Sequence, residues 1–102
     1  MAWIRACDSD ALADGEAVVV ERDDGPPVAV FRVDHEFFAV DDTCTHDNYS
    51  LADGYIDGPI VECPLHMAKF DVRTGKVLCL PATRDLAAYP VKVEAGVVFV
   101  EV

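Results

Sequence analysis

Basic residues are scarce in this sequence: 8 Lys and Arg stand against 19 Asp and Glu, a formal net charge of −11. That scarcity excludes nucleic acid as a partner, because neutralising phosphates takes clustered Lys and Arg. Long apolar runs are also missing. The apolar stretches are short and interrupted, Val97-Val-Phe-Val100 among them. None nears the roughly 18 consecutive residues of a membrane helix, so no membrane span is expected. The stretch Met1–Cys7 lacks the basic region and extended apolar core of a signal peptide, which makes a cytoplasmic location the expectation. Histidine is rare, with 3 residues, and cysteine is nearly as rare, with 4. In a reducing compartment Cys7, Cys44, Cys63 and Cys79 serve as metal ligands or inert core thiols more often than as disulfides.

What is present points to one folded unit. The 102 residues, 52% of them hydrophobic, suffice for one compact domain over 1–102 and are too few for two. No repeat, low-complexity tract or linker interrupts them. The acidic excess suits a partner with a positive docking surface, reached by electrostatic steering, and it also serves solubility.

Most of the chain reads as short strands separated by turns. Ala17–Glu21 and Val28–Val33 are rich in β-branched and aromatic residues, with Asp23-Asp-Gly-Pro-Pro27 as a breaker between them. Val33-Asp-His-Glu36 marks a hairpin tip whose second arm is Phe37–Val40. Ile60–Glu62 and Lys69–Asp71 are further strands, and Asp71–Gly75 has the residues of a turn. Val91–Glu94 and Val97–Val102 flank Ala95-Gly96, a hairpin signal. One short helical turn is expected within Asp8–Ala13, capped by Asp8 or Ser9. The fold class is therefore all-β, a small sandwich or barrel of antiparallel sheets.

The informative segment spans about 41–81. It contains Cys44-Thr-His46, then sixteen residues, then Cys63-Pro-Leu-His66. Asp53-Gly54 and Asp57-Gly-Pro59 allow the chain to turn and bring the second pair beside the first. Thiolates are soft donors suited to iron and zinc, and imidazole suits both. Four such ligands also fit tetrahedral zinc, although zinc sites group their cysteines and their histidines where this order alternates them. If both cysteines bind one iron and both histidines another, the cluster is less negative than an all-thiolate one and accepts an electron more readily.

The pattern C-x-H followed by C-x-x-H, with Cys63-Pro-Leu-His66 and then Phe70-Asp71, resembles the Rieske motif. The resemblance implies stacked antiparallel sheets with a two-loop cluster-binding subdomain and one 2Fe-2S cluster. Cys44 and Cys63 would hold the inner iron, and His46 and His66 the outer one. Pro81 resembles the family's proline loop, which covers the cluster. Respiratory members have an extra cysteine in each loop, where this chain has Tyr49 and Leu65, so no bridge can form. They also have serine and tyrosine hydroxyls where Ala68 and Phe70 stand here. Without those hydrogen bonds to sulfur, a potential at the low end of the Rieske range of roughly −150 to +300 mV is expected.

The implied function is that of a one-electron carrier, itself not an enzyme. It would take electrons from a flavoprotein ferredoxin reductase and dock by its acidic surface and cluster tip to a terminal oxygenase in aromatic-compound degradation. The alternative is a Rieske-fold small subunit of a nitrite reductase-like complex. His35 is expected as a solvated turn residue, Cys7 and Cys79 as buried or half-buried thiols, and Trp3 in the core.

Overall fold

Val28–Val33 reads Val-Ala-Val-Phe-Arg-Val, and every side chain in it except Arg32 is buried. A strand apolar on both faces needs a partner layer on each side. A computed structural model, which describes residues 2–23, 25–44, 49–64, 68–80 and 84–102, shows both layers. In chain order the strands are β1 (Trp3–Asp8), β2 (Ala17–Val20), β3 (Val28–Val33), β4 (Glu36–Asp41), β5 (Tyr55–Asp57), β6 (Ile60–Glu62), β7 (Lys69–Asp71), β8 (Lys76–Cys79), β9 (Ala88–Tyr89), β10 (Val91–Glu94) and β11 (Val97–Glu101). They form three antiparallel sheets, ordered β1-β11-β10, β2-β3-β4-β9 and β5-β6-β7-β8.

The period of two along β3 and β4 sorts their side chains into two cores. Ala29, Phe31, Val33, Phe38 and Val40 pack with Val61, Phe70 and Val72 of the β5–β8 region, in the cluster that also contains Cys44 and Cys63. Val28, Val30, Phe37 and Ala39 pack instead with Val98 and Val100 of β11. The β2-β3-β4-β9 sheet is thus the middle layer.

Two turns of equal design close the hairpins. Asp34 and His35 have φ of 50° and 66°, and Ala95 and Gly96 have 50° and 76°. Positive φ at both central residues is what a two-residue hairpin matching strand twist requires. The expected helical turn is a 3-10 turn over Ser9–Ala11; Asp8 precedes it but makes no side-chain cap bond. No α-helix occurs among the described residues, and none of their helices is long and apolar enough to cross a membrane.

The end of β4 is secured from the side. Tyr89 Oη donates to Asp41 Oδ1 at 2.6 Å, and Arg22 Nη2 donates to Tyr89 Oη at 3.0 Å with its guanidinium 5.2 Å from the ring centre. Burial, with the Asp41 bond adding to it, pushes the Tyr89 phenol above its ordinary value. A raised value means that this stabilisation is complete below the unfolded pKa of about 10 and is lost as pH climbs through the folded one. Tyr89→Phe should cost about 1.5–3 kcal/mol in urea unfolding at neutral pH, the worth of a hydrogen bond to a charged group. The variant should also lack this alkaline loss of stability. Equal alkaline profiles for the two proteins would contradict the assignment.

Candidate metal centre

Cys44 follows the end of β4, and Cys63 follows β6. The same construction closes a loop above each. The Cys44 N–H donates to Tyr49 O at 3.0 Å, and the Cys63 N–H donates to Ala68 O at 2.8 Å. One residue further down, Thr43 bridges Ser50 and Glu62 pairs with Lys69. Both loops therefore narrow to necks of identical span, with a cysteine at the first position above the neck. Cys44 is 3% exposed and Cys63 0%.

The first neck has an additional brace in Asp42. Its N–H donates to Pro27 O at 2.9 Å, and its carbonyl accepts from the Leu51 N–H at 2.7 Å. Its Oδ1 accepts from Ser50 Oγ at 2.9 Å and from the Ala52 N–H at 3.0 Å. The chain then makes a 3-10 turn over Leu51–Asp53, with Leu51 fully buried in the same core as Cys44. At Gly54 a Cβ would overlap the Glu62 carbonyl oxygen, so only glycine lets the chain entering β5 lie this close to the end of β6.

A third segment returns to this end of the molecule. The Leu86 N–H donates to Gly75 O at 2.7 Å, Asp85 Oδ1 accepts from the Val77 N–H at 2.8 Å, and the Asp41 N–H donates to Ala87 O at 3.0 Å. Residues 85–87 thus strap the turn before β8 to the end of β4. The turn itself is fixed by Asp71, whose carboxylate takes the Arg73 side chain at 2.8 and 3.1 Å; that bond holds its carboxyl below the ordinary value.

Of the sequence-derived ligands, Cys44 and Cys63 are brought into one packed cluster, while His46 and His66 lie outside the described residues. Pro81, Leu65 and Met67 also lie outside them. The donors present fit an iron–sulfur group: two soft sulfurs, in no disulfide, stand buried at the roots of like loops. Three other expectations can be checked directly. His35 is at the hairpin tip with its side chain 81% exposed, as expected. Cys7 is half-buried, but Cys79 is exposed, because the β7–β8 register shifts there. Trp3 is not in the core; it is 38% exposed on β1 with Lys92 Nζ 4.5 Å above its ring. Asp42 and Ser50 went unnoticed in the sequence, and Gly75 was read there only as a turn residue; the one hint of Asp42 was an aspartate pair placed just ahead of Cys44.

The family model for the Rieske [2Fe-2S] domain matches residues 2–90. The chain belongs to the Rieske [2Fe-2S] family. It is 50% identical over 103 residues to the 3-phenylpropionate/cinnamic acid dioxygenase ferredoxin subunit of Photorhabdus laumondii, covering 100% of this chain and 96% of that protein. The subunit of the same name from Escherichia coli K12 is 48% identical, over 96% of this chain and 92% of the relative. Among solved structures, Sphingomonas yanoikuyae B1 ferredoxin superposes with a TM-score of 0.92 at 41% identity, covering 98% of both chains. A chain in the complex of reduced oxygenase and oxidized ferredoxin of carbazole 1,9a-dioxygenase gives 0.93 at 39% identity, over 96% of this chain and 91% of that one.

As a Rieske ferredoxin the chain has one 2Fe-2S cluster and is an electron-transfer component. Ala68 and Phe70 are both fully buried in the core that holds the two cysteines. Hydrogen bonds to sulfur favour the reduced state, and neither side chain has one to give. Phe70→Tyr places a phenol in this core, and voltammetry should find a higher potential than in the wild-type protein. A lower one would contradict the hydrogen-bond argument.

Proposed function

We propose that this ferredoxin moves single electrons from a flavoprotein reductase to the terminal oxygenase of an aromatic-compound dioxygenase system. The observation that carries the reading is the pair of buried cysteines at the roots of two loops with equal necks, in a chain matched along its length by dioxygenase ferredoxins. In this reading Cys44 and Cys63 hold one iron and His46 and His66 the other. Bound there, the two-iron cluster supplies reversible storage of one electron. The chain's own work is to exclude water at the thiols, to hold the loops at fixed separation and to present the histidine edges to a partner. Residues 1–102 act as one domain, with about 41–81 as its cluster-binding part, and the protein works in the cytoplasm.

Docking is assigned to the cluster tip and the acidic surface. Tyr49, at the first neck, is 43% exposed, and Leu80, just past β8, is 74% exposed, which gives this end apolar contact area. With a net charge of −11, the rate of electron transfer to the natural acceptor should fall as salt rises, because screening removes steering. A flat response in stopped-flow measurements would assign the charge to solubility. The nitrite reductase-like alternative has less support, since the dioxygenase ferredoxin subunits match this chain at 48–50% identity, whereas a nitrite reductase small subunit of the same fold matches at 27%. The test of the ligand set is the electron paramagnetic resonance spectrum of the reduced protein. Mixed nitrogen and sulfur ligation is expected, and an all-sulfur spectrum or a zinc-bound colourless protein would overturn it.

A further inference from the structure

Asp42 is the one charged side chain buried among the described residues, at 4% exposure. A carboxylate withdrawn from water needs compensation by hydrogen bonds or by a cation. The two donors on its Oδ1, the Ser50 hydroxyl and the Ala52 N–H, are both neutral. They fix the negative charge in place without cancelling it. Its main chain is equally constrained, tied to Pro27 on one side and to Leu51 on the other. An uncharged side chain with the same acceptor would brace the loop as well, so bracing alone does not explain the charge.

We propose that Asp42 is a positioning residue for the cluster, bracing the root of the first ligand loop and, as a fixed buried negative charge, lowering the reduction potential. The inference rests on Cys44 being a ligand. Asp42 lies two residues before it, so their Cα atoms are at most about 7 Å apart. A unit charge about 12 Å from the acceptor, in a medium of effective dielectric near 20, shifts a one-electron equilibrium by about tenfold, and a nearer one by more. Negative charge opposes the arrival of an electron, so the shift is toward the oxidised state. It acts in the same direction as the missing hydroxyls at Ala68 and Phe70.

Asp42→Asn keeps the size of the side chain and the oxygen that takes both donors, and removes only the charge. The variant should retain the visible spectrum of the wild-type holoprotein while its potential rises by at least about 59 mV, the one-electron equivalent of tenfold. Because the charge is buried, the difference should persist in high salt. An unchanged or lower potential in the loaded variant would overturn the proposal, since a purely structural brace is satisfied by asparagine. If Asp42→Asn does not load, Ser50→Ala decides. Removing one donor leaves the charge less compensated and should lower the potential, with Ser50→Thr restoring it; an unchanged or raised value in Ser50→Ala would overturn the proposal. Failure of the ligand reading is distinguishable, because it would appear in the paramagnetic spectrum of the wild-type protein before any variant is made.

Discussion

Cys63→Ser, purified without oxygen, should contain neither iron nor acid-labile sulfide and should lack the visible absorption of the wild-type protein. Cys63 has no exposed surface and belongs to the buried core that includes Phe70, Ala68 and Val61. A serine hydroxyl is a hard, weakly acidic donor and a poor substitute for a thiolate on iron. The loss extends to the fold. A group that binds the folded chain alone adds its binding free energy to stability, so the variant should melt as the apoprotein does, with a deficit of several kcal/mol. His66→Ala should lose or destabilise the cluster as well, because it removes one of the proposed ligands. Cys7→Ser and Cys79→Ser supply the controls, since one thiol is half-buried in the β1–β11 core and the other is exposed on β8. Both should retain full iron. Stoichiometric iron and sulfide in Cys63→Ser would end the ligand assignment.

Gly75→Ala should be the most damaging small substitution outside the ligands. Gly75 has a φ of +81°, which costs an alanine about 1–2 kcal/mol. Its new Cβ would also overlap the Leu86 carbonyl oxygen, with the carbonyl carbon only 3.0 Å away. Backbone cannot swing aside as a flexible side chain can, so residues 85–87 must move and the bond from the Leu86 N–H to Gly75 O must lengthen. A total of about 3 kcal/mol is expected. In a domain of this size that corresponds to a fall in Tm of about 12 °C or more. Gly58→Ala is the matched control: its φ is +55°, but its Cβ would meet nothing within 4 Å. It should cost only about 1 kcal/mol. Equal losses at the two positions would show that the close approach of Leu86 is not what matters at Gly75.

Much of this arrangement was legible before any coordinates. β3, β6, β7 and β10 begin and end where the residues said, because each is a β-rich run bounded by Gly, Pro or Asp. The four elements that were not legible have identifiable physical causes. β5 lies between Asp53-Gly54 and Asp57-Gly58-Pro59, whose turn signals mask it, and β9 has only two residues, too few for alternation to register. β1 and β8 each contain a register shift, at Arg5/Cys7 and opposite Lys69/Phe70, which breaks the period of two. The same irregularity explains why Cys79 is exposed. Trp3 was misplaced because a large aromatic on an edge strand can cover a lysine stem as readily as enter a core. Of the proposed ligands, Cys44 and Cys63 were singled out by their spacing to histidine, and the fold gathers both into one core. Asp42 was not, because its inward turn depends on Ser50, eight residues away on the far side of the loop. Gly75 could be read as a turn residue, but its contact with Leu86 is made only in the folded chain.

The matched necks at Cys44–Tyr49 and Cys63–Ala68 have a consequence for how such a molecule can vary. Each stem leaves four positions in its crown, 45–48 and 64–67, and the stem's gauge is set by main-chain bonds that do not depend on what those positions contain. Apart from the two histidines, substitutions there can alter colour, affinity for a docking protein or redox poise while the scaffold below stays indifferent. Adding or deleting a single crown residue would be another matter, since it would swing the chelating atoms out of alignment without disturbing any strand.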